Sequence, residues 1–472
     1  MKTLFAALAD HAAQRPHGIA LASESVIISY GELLSEIAIK RNALNNKHID
    51  VLGLSLPNSV DWILWDLAAL QAGIVCVPLP PFFTPEQIEY ITAISGMDAY
   101  VCDGQLVSVS SQRGVHIPLG TAKITFTSGT TGTPKGVCLP ATGIERLTQS
   151  LLSVLDASYG ERHLSVMPLA ILLENVAGVY TALLAGSTVF IPSPASIGME
   201  DPFRPDYTQL LDFIVRQRIT SVILTPELLR GVVNAAAKST ESCRSLRYIA
   251  VGGATVPPAL LQTARALGLP VYEGYGLSEC GSVVALNTPK DDHPSTVGRL
   301  LPHMQVTVRD GEVMIQNPAF LGYLGEPERD PSEPFATGDN GTLDDKGALI
   351  VSGRRKNTII TSQGRNIAPE WVESTLLCQP GVAQVFVYGD GLAFPQALIV
   401  PLSKDAPIAD AVGQANKTLP AYAQIAHFDT VGPFTPQNNM LTPTGRLRRQ
   451  MIALTYHSLM KEAPHGILRQ VS

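Results

Sequence analysis

The stretch Ile124-Thr125-Phe126-Thr127-Ser128-Gly129-Thr130-Thr131-Gly132-Thr133-Pro134-Lys135-Gly136 holds the densest chemistry of this 472-residue chain. A β-prone run enters a loop of hydroxyls and glycines with a single lysine. A triphosphate needs many short donors and a backbone that can approach it closely. Glycine permits the approach, serine and threonine supply donors, and Lys135 supplies charge. The plain alternative is a polar surface turn, and the crowding of small and hydroxylated residues around one lysine argues against it. Lys135 follows Pro134 and precedes Gly136, so the order is not Gly-x-x-x-x-Gly-Lys-Ser/Thr and a P-loop nucleotidase is disfavoured.

A second signature lies far along the chain, in Glu273-Gly274-Tyr275-Gly276-Leu277-Ser278-Glu279. An aromatic ring between glycines can lie flat against a purine. A hydroxyl followed by a carboxylate suits phosphate contact and Mg²⁺ ligation, because Mg²⁺ prefers oxygen ligands and shares them with substrate phosphates. In isolation this block reads equally well as a loop around a buried tyrosine.

Together these blocks resemble the adenylate-forming superfamily, which includes acyl-CoA synthetases, luciferases and peptide-synthetase adenylation domains. Thr127 to Gly136 matches its signature loop, and further blocks follow in family order along essentially the whole chain. The resemblance implies that Thr127, Ser128, Gly129, Thr130, Thr131, Gly132 and Lys135 hold the phosphates of ATP. It implies that Tyr275, between Gly274 and Gly276, packs on adenine, that Ser278 contacts the α-phosphate and that Glu279 holds Mg²⁺. Gly252-Gly253-Ala254 is similar to the turn beside the acyl and adenine pockets, which marks Gly253. Thr337-Gly338-Asp339 is similar to the ribose block, where the Asp339 carboxylate can accept from both ribose hydroxyls. Gly353-Arg354-Arg355-Lys356-Asn357 is similar to the hinge block, with Arg354 on ribose or phosphate and Lys356 at the hinge. The family more often has Asp where this chain has Asn357. Ser362 to Pro369 looks most like long-chain fatty acyl-CoA synthetases, in which the glycine-containing loop, here with Gly364, lines a thiol channel after the small domain rotates.

Two departures stand out. Relatives have lysine where this chain has Arg446, in Leu441-Thr442-Pro443-Thr444-Gly445-Arg446. That lysine bridges carboxylate and α-phosphate during adenylation. Arginine keeps the charge but replaces a point cation with a planar fork. In Met167-Pro168-Leu169-Ala170-Ile171-Leu172-Leu173-Glu174, Ile171 stands where long-chain synthetases carry histidine, which makes the wall more apolar. The plain reading of that segment is a core helix.

The implied reaction joins a carboxylic acid to ATP with Mg²⁺, then passes the acyl group to coenzyme A or to the phosphopantetheine thiol of an acyl or peptidyl carrier protein. No acidic anchor for an amino group stands out between Pro168 and Gly178, although Glu174 is a candidate, so a fatty acid is expected. Two other readings remain open: a homologue or nucleotide-binding scaffold impaired in adenylation by Arg446, and an ATP-dependent phosphotransferase.

The elements that must position these residues follow from the apolar pattern. Helices are expected at Tyr30 to Leu44 and Val60 to Ala72, with strands at Val51 to Leu56 and Ile74 to Val77, a βαβ rhythm that implies a doubly wound sheet. The rhythm continues through helix Leu210 to Arg216, strands Ser221 to Leu224 and Leu246 to Val251, and helix Pro258 to Leu267. After about residue 290 a hairpin is expected around Asp310-Gly311. The expected fold is α/β: a large domain of doubly wound sheets plus a β-subdomain over 1–352, and a small mobile α+β domain over 353–472. Hydrophobic residues make up 45% of the chain and charged residues 16%, which permits an ample core. With a net charge of −7 and no basic blocks, nothing favours nucleic acid as the main partner, and none is expected. The six cysteines lie far apart with no Cys-x-x-Cys pair, so reduced thiols and a cytoplasmic setting are expected. No apolar run reaches the length of a membrane span.

Overall fold

Apolar runs that show no alternation must be covered on both faces, which is the behaviour of parallel strands flanked by helices. The computed structural model describes residues 1–109, 115–127, 134–201, 205–239, 243–442 and 445–460. Val51–Leu54 and Val75–Pro78 lie near the middle of a seven-stranded sheet. Its order is Gly322–Tyr323, Lys135–Pro140, Thr121–Thr127, Val75–Pro78, Val51–Leu54, Ala99–Cys102, Gln105–Ser108. The four inner strands run parallel, and the flanking ones pair antiparallel.

The helix Val60–Ala72 shows why this layer forms. Ser59 caps it by accepting from Trp62 N–H at 3.2 Å, and Gly73 ends it at φ +74°. Its residues from Trp62 to Leu70 are all buried, so the helix is interior rather than amphipathic. A second, nine-stranded sheet has Ser221–Leu224, Tyr248–Val251 and Val271–Tyr275 as parallel neighbours. Beyond Val271–Tyr275 two short strands, Ala285–Leu286 and Arg299–Leu300, pair antiparallel.

The hairpin expected at Asp310-Gly311 forms between Gln305–Arg309 and Glu312–Gln316, with both turn residues at positive φ. It belongs to a four-stranded antiparallel sheet completed by Phe335–Leu343 and Leu349–Arg354. The division expected at 352/353 falls inside this last strand. After it come helix Pro369–Leu377 and a three-stranded sheet of Val382–Tyr388, Gln396–Pro401 and His427–Thr430, with apolar clusters of its own.

One expected core helix takes another form. Leu173–Tyr180 is a π-helix, its wider turn visible where the Thr181 N–H reaches the Val176 carbonyl five residues back. Two buried polar groups hold it. Lys123 bonds to Asp66 at 2.7 Å, to Asn175 at 2.5 Å and to the Tyr180 hydroxyl at 3.2 Å. At its start Glu174 bonds to His163 at 2.9 Å. Among the described residues no helix is long and apolar enough to cross a membrane.

Candidate active site

Thr127 and Lys135 face each other across the antiparallel pair Thr121–Thr127 and Lys135–Pro140. The sequence between them carries Ser128, Gly129, Thr130, Thr131 and Gly132, all of which lie outside the described residues. Lys135 is exposed. Its ammonium pairs with Glu326 at 3.0 Å and sits 4.9 Å from the centre of the Tyr323 ring. Tyr323 is brought there by its two-residue strand, which adds to the sheet beside Val137.

The hydroxyl of the same Tyr323 donates to Glu279 Oε1 at 2.7 Å. Burial, and then the Glu279 carboxylate, push the phenol well above its usual range, so it remains a donor. Glu279 lies in the single turn Ser278–Cys280 that follows the strand Val271–Tyr275. Lys135 and Glu279 therefore share one wall with Tyr323 between them, although more than a hundred residues separate them in sequence.

Between strand and turn, Gly276 must be glycine, because a Cβ there would stand 1.6 Å from the Ser282 carbonyl oxygen. A Cβ on Gly274 would meet Leu286 at 2.9 Å. The Tyr275 hydroxyl donates to Asp339 Oδ2 at 2.6 Å, and Arg354 Nε pairs with Asp339 Oδ1 at 2.9 Å. Arg354 also donates to the Thr337 carbonyl at 3.0 Å. Asp339 is only 5% exposed; burial raises its pKa more than Arg354 and Tyr275 lower it.

Arg446 closes the cluster. Its guanidinium donates to the Gly253 carbonyl at 3.2 Å, and Gly253 holds φ at +84°. Desolvation and then Arg354 lower its pKa, while Asp339 and Glu279 oppose them, which sets Arg446 within the field of both carboxylates. Lys356 lies in the same field: burial and Arg354 lower its pKa against Asp339 and Glu370. Ser278 sits half-buried at the turn, its carbonyl accepting from Gly281 N–H at 2.9 Å. Gly364 is not joined to this group. It occupies a turn between Ile359–Ile360 and Asn366–Ile367 at φ +74°, with open space where a Cβ would point.

The chemistry of the donor set suits a magnesium nucleotide. Among the described residues no three His, Cys, Asp or Glu side chains converge on a metal site. A lone carboxylate such as Glu279 fits Mg²⁺, which keeps waters and takes its other oxygens from phosphates. Glu174, the candidate anchor for an amino group, is fully buried and committed to His163 and to Met167 N–H. Sequence reasoning missed Tyr323 and Glu326. Gly322-Tyr323-Leu324 is an apolar stretch running into the charged run Glu326 to Asp330, which reads as an ordinary solvated turn, and only the pairing of its strand beside Lys135 reveals it.

The AMP-binding enzyme family profile matches residues 8–120 and 116–324, and the profile of the AMP-binding enzyme C-terminal domain matches 356–465. The chain belongs to the AMP-binding enzymes. The proteins it resembles include CoA ligases. A long-chain-fatty-acid–CoA ligase, FadD13 of Mycobacterium tuberculosis, is 26% identical over 74% of this chain and 79% of its own length. A 2-succinylbenzoate–CoA ligase of Bacillus velezensis is 30% identical over 57% of this chain and 56% of its own. Among solved structures, the o-succinylbenzoate CoA synthetase of Bacillus subtilis in complex with its acyl-adenylate superposes with a TM-score of 0.79 at 22% identity, covering 98% of this chain and 99% of that one. The anthranilate CoA ligase AuaEII with anthranoyl-AMP gives 0.80 at 19% identity, covering 96% of each.

Proposed function

We propose that this AMP-binding enzyme activates a fatty acid as its acyl-adenylate and then transfers the acyl group to coenzyme A or to a carrier-protein phosphopantetheine. A substrate carboxylate oxygen attacks the α-phosphorus of ATP, the bond to the β-phosphate breaks, and pyrophosphate leaves. A thiolate then attacks the acyl carbonyl carbon and AMP departs. No protein nucleophile is needed, so positioning and electrostatics carry the catalysis.

The observation that carries this reading is that Lys135 and Glu279 meet through Tyr323, while Arg446 donates to Gly253 and feels the charges of Asp339 and Glu279. In this reading Lys135 and the residues Thr127 to Thr131 hold phosphates, and Glu279 would hold the Mg²⁺ that neutralises them. Tyr275 and Gly274 border adenine, Asp339 and Arg354 take the ribose, and Ser278 and Arg446 contact the α-phosphate. Residues 353–472 form a small domain that turns about Lys356 and brings Gly364 to the thiol. The acid is read as fatty because Glu174 is spent on His163, because the segment around Ile171 is apolar, and because relatives such as FadD13 act on long-chain fatty acids. The setting is read as cytoplasmic.

The test is a pyrophosphate-exchange screen over fatty, aryl and amino acids, followed by thioester assays with coenzyme A and a carrier protein. Exchange with fatty acids, and AMP as the nucleotide product, are expected. ADP as product would instead identify a phosphotransferase. Exchange with aryl or amino acids alone would overturn the substrate class.

A further inference from the structure

The segment Phe320 to Leu324 joins the two nucleotide blocks through its backbone. Phe320 N–H donates to the Glu279 carbonyl at 3.0 Å, Leu321 N–H to Cys138 at 2.8 Å, and Leu324 N–H to Gly136 at 2.7 Å. Gly322 takes φ +143° between them, a conformation that favours glycine. Tyr323 is thus fixed from both sides before any ligand arrives. Its ring lies edge-on to Phe320 at 5.3 Å, its face lies under the Lys135 ammonium, and its hydroxyl ends on Glu279.

We propose that Tyr323 is a positioning residue for the nucleotide site: its hydroxyl holds one oxygen of Glu279 and leaves the other as the metal donor, while its ring holds Lys135 beside the same phosphates. A carboxylate held by one hydrogen bond loses its rotation, so the remaining oxygen is presented without an ordering cost at binding. Among the described residues nothing else bonds to that carboxylate. Lys135 has an exchangeable partner in Glu326, since both ends of that pair are about half exposed at 52% and 48% and exposed pairs are weak. Phosphate oxygens can replace Glu326 while the ring contact persists. Tyr323 thereby couples metal and phosphate recognition through one side chain. The inference rests on the reading of Glu279 as the metal ligand.

The test is calorimetric titration of the whole protein with ATP, in Mg²⁺ and in EDTA, for wild type, Tyr323→Phe, Glu279→Gln and the double variant. Tyr323→Phe keeps the ring and its contact with Phe320. Expected is a loss of roughly three- to tenfold in affinity for MgATP, the size of the ordering cost of one side chain, with affinity in EDTA unchanged. In the Glu279→Gln background, Tyr323→Phe should change nothing further. An equal loss with and without metal, no loss, or an undiminished loss in the double variant would overturn the proposal. If Glu279→Gln alone leaves MgATP affinity intact, the metal reading of Glu279 fails first and is recognised as such. Tyr323→Leu tests the ring: weaker ATP binding in EDTA supports it, and unchanged binding removes that half of the proposal.

Discussion

Arg446 stands where the resemblance to adenylate-forming enzymes implies a lysine, and its surroundings show how an arginine fits there. One arm of the guanidinium donates to the Gly253 carbonyl, and the fork leaves further N–H groups for a phosphate. A lysine ammonium has no fixed second arm with which to hold that carbonyl while reaching a phosphate. Arg446→Lys is therefore expected to lower pyrophosphate exchange by roughly tenfold, the worth of one such hydrogen bond. Arg446→Ala should lower it about 10²- to 10³-fold, as removal of a donor to developing phosphoryl charge does elsewhere. Exchange rates at saturating ATP measure both. A gain for Arg446→Lys would mean that the arginine is a defect.

The strand Val271–Tyr275 delivers Tyr275 to Asp339 and leads into the Glu279 turn, and it does so while carrying a carboxyl into a poorly solvated place. Burial raises the Glu273 pKa to about 8, against the opposing effects of Val256 N–H and Arg265. The folded state thus keeps a proton that the unfolded chain gives up above its ordinary value of 4.5. By linkage the stabilisation is complete below about pH 4.5 and is lost progressively as pH rises to about 8. Glu273→Gln should match the wild-type melting temperature at the acid end and exceed it at the alkaline end, which a series of thermal melts across pH would show. A constant offset at every pH would mean that Glu273 is ionised in the fold. The glycines of this block were legible in the sequence because backbone close approach admits few residue types: Gly276 has a carbonyl where a Cβ would be. The sequence left the π-helix Leu173–Tyr180 illegible. An apolar run with scattered polar residues reads as an ordinary helix, and what holds the wider turn is Lys123 and Asp66, which lie on other elements. Tyr323 was hidden for the same reason, since its partners are set by pairing between strands rather than by neighbours in sequence.

At the scale of the whole molecule, the proposed nucleotide site is drawn from distant parts of the chain, with Arg446 donating to Gly253 from almost two hundred residues away. The change in texture after residue 290 and the basic run at Arg354 marked the region around Ser352 to Lys356 in the sequence. The brace that stiffens it was not marked, because Asn357 and Glu370 meet only through folding. The Asn357 amide donates to Glu370 Oε1 at 2.6 Å, and the other Glu370 oxygen is buried with no hydrogen-bond partner among the described residues. Gly353 packs close by, where a Cβ would meet Ala368 at 2.9 Å and Glu370 at 3.1 Å. Asn357→Asp, the residue more frequent in the family, would set two carboxylates at hydrogen-bond distance. Arg449 lies 3.7 Å from Glu370 but is engaged at 2.6 Å with Glu373, so it compensates only in part. Like charges at such a distance cannot both ionise without strain. The variant should therefore loosen the exit of the small domain and lower pyrophosphate exchange a few-fold at alkaline pH. The deficit should shrink in acid, where the pair shares a proton and the hydrogen bond is restored. The ratio of variant to wild-type exchange, followed across pH, reads this directly, and a flat ratio would show that the Asn357–Glu370 contact does not govern how the two parts of the protein meet.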